Sequence, residues 1–84
     1  MRDATAIQRL IARRHGVQRA RLGWTESELR REYVILGEEL HAALRRRISR
    51  ASRQDVERAV GVVDVLLERA LRESLLGFTE GPAV

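Results

Sequence analysis

The chain has 84 residues, no cysteine and a net charge of +4. That is one small domain at most, burying about 60–65% of its unfolded surface, so its core is marginal. Disulfides and thiolate metal sites are excluded, no apolar run approaches the roughly 18 residues of a membrane span, and Met1–Leu10 lacks the apolar core of a signal peptide. A cytoplasmic location is the simplest expectation. All 16 basic residues are Arg. A nucleic-acid-binding role would not by itself remove every Lys, and the 12 acidic residues are interspersed with the Arg.

Helix is the only regular structure that the pattern supports. The single Pro is Pro82, and no window alternates β-branched residues with period two. The first helix is expected over about 3–22, with Ile7, Leu10, Ile11, Val17 and Leu22 apolar. Arg14, Gln18 and Arg21 fall inside the same stripe, so it is a poor one, and Gly16 weakens the helix by about 1 kcal/mol. On this reading the first helix packs on the outside.

Gly23 is a stop signal. Thr25 and Glu28 form a capping box, T-x-x-E, with Trp24 before it as a hydrophobic staple. Gly23, Trp24, Thr25 and Glu28 thus predict a structural corner, with Trp24 largely buried against the second and third helices.

The second helix is expected over about 26–48. Leu29, Tyr33, Leu36, Leu40 and Ala43 recur at spacings of 4, 3, 4 and 3, a heptad-like seam continued by Leu44 and Ile48. Glu26 and Arg30 are placed for an i,i+4 pair. Ser52 is the expected N-cap of the third helix, 53–78. The third helix is apolar over half its circumference, from Val56 through Val60, Val63 and Leu67 to Leu71 and Phe78. A stripe of about 100° suffices for one neighbour, so this helix should touch more than one. Residues 79–84, with Gly81-Pro82, read as a flexible tail or linker, leaving 1–78 as a single helical domain.

Catalytic constellations are nearly absent. There is no Gly-rich phosphate loop, no H-E-x-x-H and no triad. No enzyme activity, cofactor, metal or haem is expected. His15 sits among Arg13, Arg14 and Arg19, and the helix around it is too polar for a haem pocket. His41 lies in Glu39-Leu40-His41-Ala42-Ala43-Leu44, which resembles the phosphoacceptor box of one histidine-kinase subfamily, roughly E-L-H-D-x-L. Phosphoryl transfer to an imidazole needs a neighbouring acid to take its proton, and Ala42 stands where that acid belongs. The bland reading is a half-buried histidine at the edge of the apolar face.

The Arg clusters, Arg13-Arg14 with Arg19 and Arg21, and Arg45-Arg46-Arg47 with Arg50 and Arg53, offer nucleic-acid contact as an alternative. Against it, the helix that would enter a groove opens with Glu26 and Glu28.

His15, Arg19, Gly23-Trp24, Glu28-Leu29, Glu32-Tyr33 and Leu36 follow the pattern H-x-x-x-R-x-x-x-G-[FW]-x-x-x-E-L-x-x-E-Y-x-x-L. Leu66-Leu67-Glu68-Arg69-Ala70-Leu71 extends the likeness. The stretch from His15 to Phe78 resembles the helical N-terminal domain of RsbT co-antagonist (RsbRD-type) proteins, found also at the N-terminus of bacterial sensor histidine kinases. The resemblance implies an all-helical, non-catalytic sensory or regulatory domain, dimeric in signalling assemblies and joined to an output domain. Family members carry further helix upstream, so a ligand pocket built from those helices is not expected here.

The expectation is therefore an all-α chain: a helical hairpin plus an N-terminal helix, forming a dimeric bundle. The uncovered surface of the hairpin selects Leu40, Leu44, Val60, Val63, Leu67 and Leu71 as the dimer interface.

Overall fold

The computed structural model describes residues 4–47 and 52–80. Three helices form: α1 Ala4–Arg21, α2 Glu26–Arg47 and α3 Arg53–Glu80, with no strand among the described residues. The α1–α2 corner is built by local rules. Trp24 N–H donates to the Arg19 carbonyl and Gly23 N–H to that of Ala20, both at 3.1 Å. This is the Schellman pair, and it requires a left-handed residue after the helix. Gly23 supplies it, at φ 86°. The capping box then opens α2: Thr25 N–H donates to Glu28 Oε1 at 2.8 Å and Glu28 N–H to Thr25 Oγ1 at 3.1 Å. The Arg30–Glu26 pair closes at 2.9 Å. Asp55 N–H donates to Ser52 Oγ at 3.1 Å, capping α3.

The end of the third helix differs from the sequence expectation. α3 runs through Gly77 and Phe78 to Glu80, because Gly77 serves the approach of a neighbouring helix and not chain termination. The expected tail therefore begins later, and 81–84, like Ile48–Ala51, lies outside the described residues.

α2 and α3 form an antiparallel hairpin. Leu67 faces Gly37, with its Cδ1 3.3 Å from where a Cβ would stand. His41 meets Asp64 and Arg45 meets Glu57 further along. α1 runs roughly parallel to α3 and crosses its C-terminal part at very close range. Ala12-x-x-x-Gly16 on α1 meets Ser74-x-x-Gly77 on α3. A Cβ on Gly16 would fall inside contact distance of the Ser74 carbonyl oxygen, and one on Gly77 inside that of Arg13. Small residues are what let two helix backbones touch.

α1 therefore does not lie outside on its apolar stripe. Ile7, Leu10, Ile11 and Leu22 are exposed, while Ala12 and Gly16 are buried. The weak amphipathic signal of α1 misled because its contact face is made of small residues and not large apolar ones.

The three helices do not close a core. The molecule is 50 × 34 × 14 Å, more than twice as wide as thick, whereas a closed three-helix bundle has similar width and thickness. Its Cα radius of gyration is 14.9 Å, against about 12 Å for a compact chain of this length. Among the described apolar side chains only Ala12, Leu29 and Val60 are buried.

Candidate interaction groove

What joins the helices at one end is a polar cluster. Ser74, fully buried, donates from Oγ to the Ala12 carbonyl at 2.9 Å and accepts from the Tyr33 hydroxyl at 2.5 Å. One hydroxyl on α3 thus ties α1 and α2. Beside it, Glu32 of α2 accepts from His15 Nε2 at 2.6 Å and from Arg19 Nη2 at 2.9 Å. The His15 ring packs edge-on to Tyr33, with centroids 6.1 Å apart. Partial burial pushes the Glu32 carboxyl up, but its hydrogen bonds and charge interactions with Arg19 and His15 outweigh this and hold it below the ordinary glutamate value of 4.5. Glu73 is likewise held low, first by Arg13 at 2.8 Å and also by Arg9 at 3.2 Å.

Arg19, fixed by Glu32, stacks on the Trp24 ring with its guanidinium carbon 4.4 Å from the centroid. Trp24 is half-buried. Its expected burial against α2 and α3 gives way to an Arg lid, because the Arg19 guanidinium occupies the face that a core contact would need.

Next to this cluster lies an open groove of about 760 Å³. α1 forms one wall with Gln8 and Ile11, α2 the other with Tyr33 and Leu36, and Leu66 and Ala70 of α3 line it between them. Helical geometry shows why it is apolar. The Gly37–Leu67, His41–Asp64 and Tyr33–Ser74 contacts fix how α2 and α3 face each other. At 100° per residue, turning to one side of that seam reaches Leu36, Leu40 and Ala43 on α2, and Ala59, Val63, Leu66 and Ala70 on α3. The other side carries Val34, Glu38 and Arg45, and Glu57, Val65 and Glu68. α1 lies across the first side, but only near Ser74 and Gly77. Beyond it the apolar stripe is open: Leu36, Leu40 and Leu66 are exposed.

The residues expected at a dimer interface are divided by this arrangement. Val60 is buried inside the chain, and Leu67 packs on Gly37. Leu44, Val63 and Leu71 are half-buried, and Leu40 is exposed. The heptad seam of α2 supplies both the intrachain contact and the open stripe, which sequence periodicity alone does not separate.

His41 stands on the polar side of the hairpin. Its Nε2 donates to Asp64 Oδ1 at 2.6 Å, with His41 the more covered partner. The acid absent at Ala42 is thus present on α3, 23 residues away, beyond the reach of a local motif. The Arg clusters are partly engaged: Arg13 with Glu73, Arg19 with Glu32, and Arg45 with Glu57 at 3.9 Å. Arg50 lies outside the described residues.

Among the described residues no helix is long and apolar enough to cross a membrane, and no three His, Asp or Glu gather as metal ligands. No family model, no curated protein and no solved structure matches the chain.

Proposed function

We propose that this chain is a non-catalytic helical module of a bacterial signal-transduction protein, one that self-associates in the cytoplasm and passes a conformational signal to an attached output domain. The observation that carries the reading is an architecture left open: three helices clamped at one end by a polar cluster, with an apolar stripe beside it that the chain does not cover. A chain with so little buried apolar surface stands at the lower limit of independent stability. A partner surface supplies the missing burial. The resemblance to RsbT co-antagonist and sensor-kinase N-terminal domains agrees with that use.

The test fuses the chain to a DNA-binding domain that represses its reporter only as a dimer. Repression restored by the fusion supports the reading. A fusion that is expressed but leaves the reporter active rejects it.

One observation favours a second reading. Asp64 gives His41 the carboxylate partner that a phosphoacceptor imidazole uses, and the opposite ring nitrogen, Nδ1, is left as the nucleophile. An acyl phosphate donor would transfer its phosphoryl group to Nδ1 and release the carboxylate, with the ring proton on Nε2 passing to Asp64. Acid-labile phosphate acquired from acetyl phosphate, and lost in His41→Gln, supports this reading. A chain that takes up none, or that labels equally in His41→Gln, rejects it.

A further inference from the structure

The accessible surface of the chain is 6520 Å². A compact monomer of 9.6 kDa exposes about 5,100 Å². The chain therefore shows about 1,400 Å² more than its mass requires, and a standard protein interface takes about 800 Å² from each partner. The excess is enough for one such interface.

Its location follows from the two sides of the hairpin. The polar side carries the ion pairs His41–Asp64 and Arg45–Glu57. The groove side has an apolar floor of Leu36, Leu66, Leu67 and Ala70, with Arg9, Arg69, Arg72 and Glu73 around it. There Leu36 and Leu66 keep 42% and 45% of their surface in water, beside Ile11 at 62% and Val62 at 57%. Val34, Ile35 and Val65 are exposed on the other side as well, but Leu36, Leu66 and Ile11 share one concavity, and apolar side chains that line a common groove mark an interaction surface.

We propose that this groove side, centred on Leu36, Leu40 and Leu66 and walled by Ile11 of α1, is the face on which a second copy of the chain docks. The inference rests on the self-association reading and adds its location. The apolar stripe on each hairpin is its own complement, so a two-fold pairing sets Leu36 and Leu40 of one copy against Leu66 and Val63 of the other. Two hairpins then form a four-helix bundle. α1, clamped at Ser74 and Gly77, flanks that bundle, and Ile11 seals its rim. This differs from an interface centred on Val60 and Leu67, which are spent within the chain.

The experiment compares Leu36→Glu and Leu66→Glu with Val34→Glu and Val65→Glu, which add the same charge on the opposite side at similar exposure, 50% and 46%. Light scattering gives the mass, and circular dichroism confirms that each variant keeps its helix. A wild-type mass near twice 9.6 kDa is expected at micromolar concentration. The two groove-side variants should raise the dimer dissociation constant at least 100-fold, and the two controls should leave it within about threefold. A wild-type dimer unmoved by Leu36→Glu and Leu66→Glu, or broken equally by the controls, overturns the face and leaves self-association standing. A wild-type monomer overturns both, and assigns the groove to another occupant. The chain has no cysteine, so Leu66→Cys with a short bis-maleimide is an independent check: rapid covalent dimer is expected, with Val65→Cys much slower, and the reverse order refutes the face.

Discussion

Gly16→Ala separates close helix packing from local preference, because the two push in opposite directions. Ala is favoured over Gly inside a helix by about 1 kcal/mol. If α1 were held by its apolar stripe, the substitution would stabilise the protein. In the structure the new methyl meets the Ser74 carbonyl and stands 2.8 Å from the Phe78 nitrogen. Both are backbone atoms of a helix and cannot turn aside, so α1 and α3 must move apart. Overpacking of this kind costs about 1–3 kcal/mol. Separating the helices also strains the Ser74–Ala12 hydrogen bond, whose loss leaves the buried Ser74 hydroxyl without its acceptor at about 1–3 kcal/mol. With the propensity gain subtracted, a net loss of about 1–5 kcal/mol is expected. Gly61 is the internal control: it is helical and exposed, with nothing within 4 Å of where a Cβ would stand. Gly61→Ala should gain up to about 1 kcal/mol. For a domain of this size 1 kcal/mol moves the melting temperature by roughly 4–8 °C. Thermal unfolding followed by circular dichroism, at one fixed chain concentration, should show a fall of at least about 4 °C for Gly16→Ala and a small rise for Gly61→Ala. A Gly16→Ala protein as stable as wild type would refute the close crossing.

Further predictions concern the polar cluster and the corner. Ser74→Ala removes the hydroxyl that joins the Ala12 carbonyl to Tyr33, and should cost about 1–3 kcal/mol in urea unfolding; Tyr33→Phe, which leaves Ser74 its acceptor, should cost about 1 kcal/mol. Because the Glu32 carboxyl is held below its ordinary value, its ion pairs add stability above about pH 4.5 that is lost as pH falls through the lowered value. Glu32→Gln should therefore be less stable than wild type at pH 7, and the gap should narrow as pH falls below 4.5 and through the lowered value; a gap that stays unchanged down to the acid limit of folding would contradict the assignment. Gly23→Ala forces a side chain into the left-handed region at φ 86° and should cost about 1–2 kcal/mol, while Thr25→Ala should cost about 1 kcal/mol through the lost cap, each read as a lowered midpoint of denaturation.

Features fixed within a few residues were legible in the sequence. The Gly23 stop, the Thr25–Glu28 box and the Ser52 cap are local patterns, and each makes the hydrogen bonds its pattern implies. The three helices followed from them and from periodicity. Features fixed by partners far along the chain were not legible. Gly16 reads as a helix weakener until α1 and α3 are seen to touch, and Gly77 meets Arg13 across the same crossing. Ser74 carries no local signal, and its role depends on Ala12, 62 residues away. The His41–Asp64 pair spans a hairpin. The pattern H-x-x-x-R with E-Y did contain a usable signal, since His15, Arg19, Glu32 and Tyr33 all converge on one cluster.

The placement of Ser74 has a mechanical consequence. All three helices are pinned together where Ala12, Tyr33 and Ser74 meet, while the hairpin extends away from that point with no third helix beside it. The pinned end acts as a fulcrum and the hairpin as an arm. A rotation of about 5° at the fulcrum corresponds to about 3 Å at Arg53, the start of α3, because the helix rises about 1.5 Å per residue between Arg53 and Ser74.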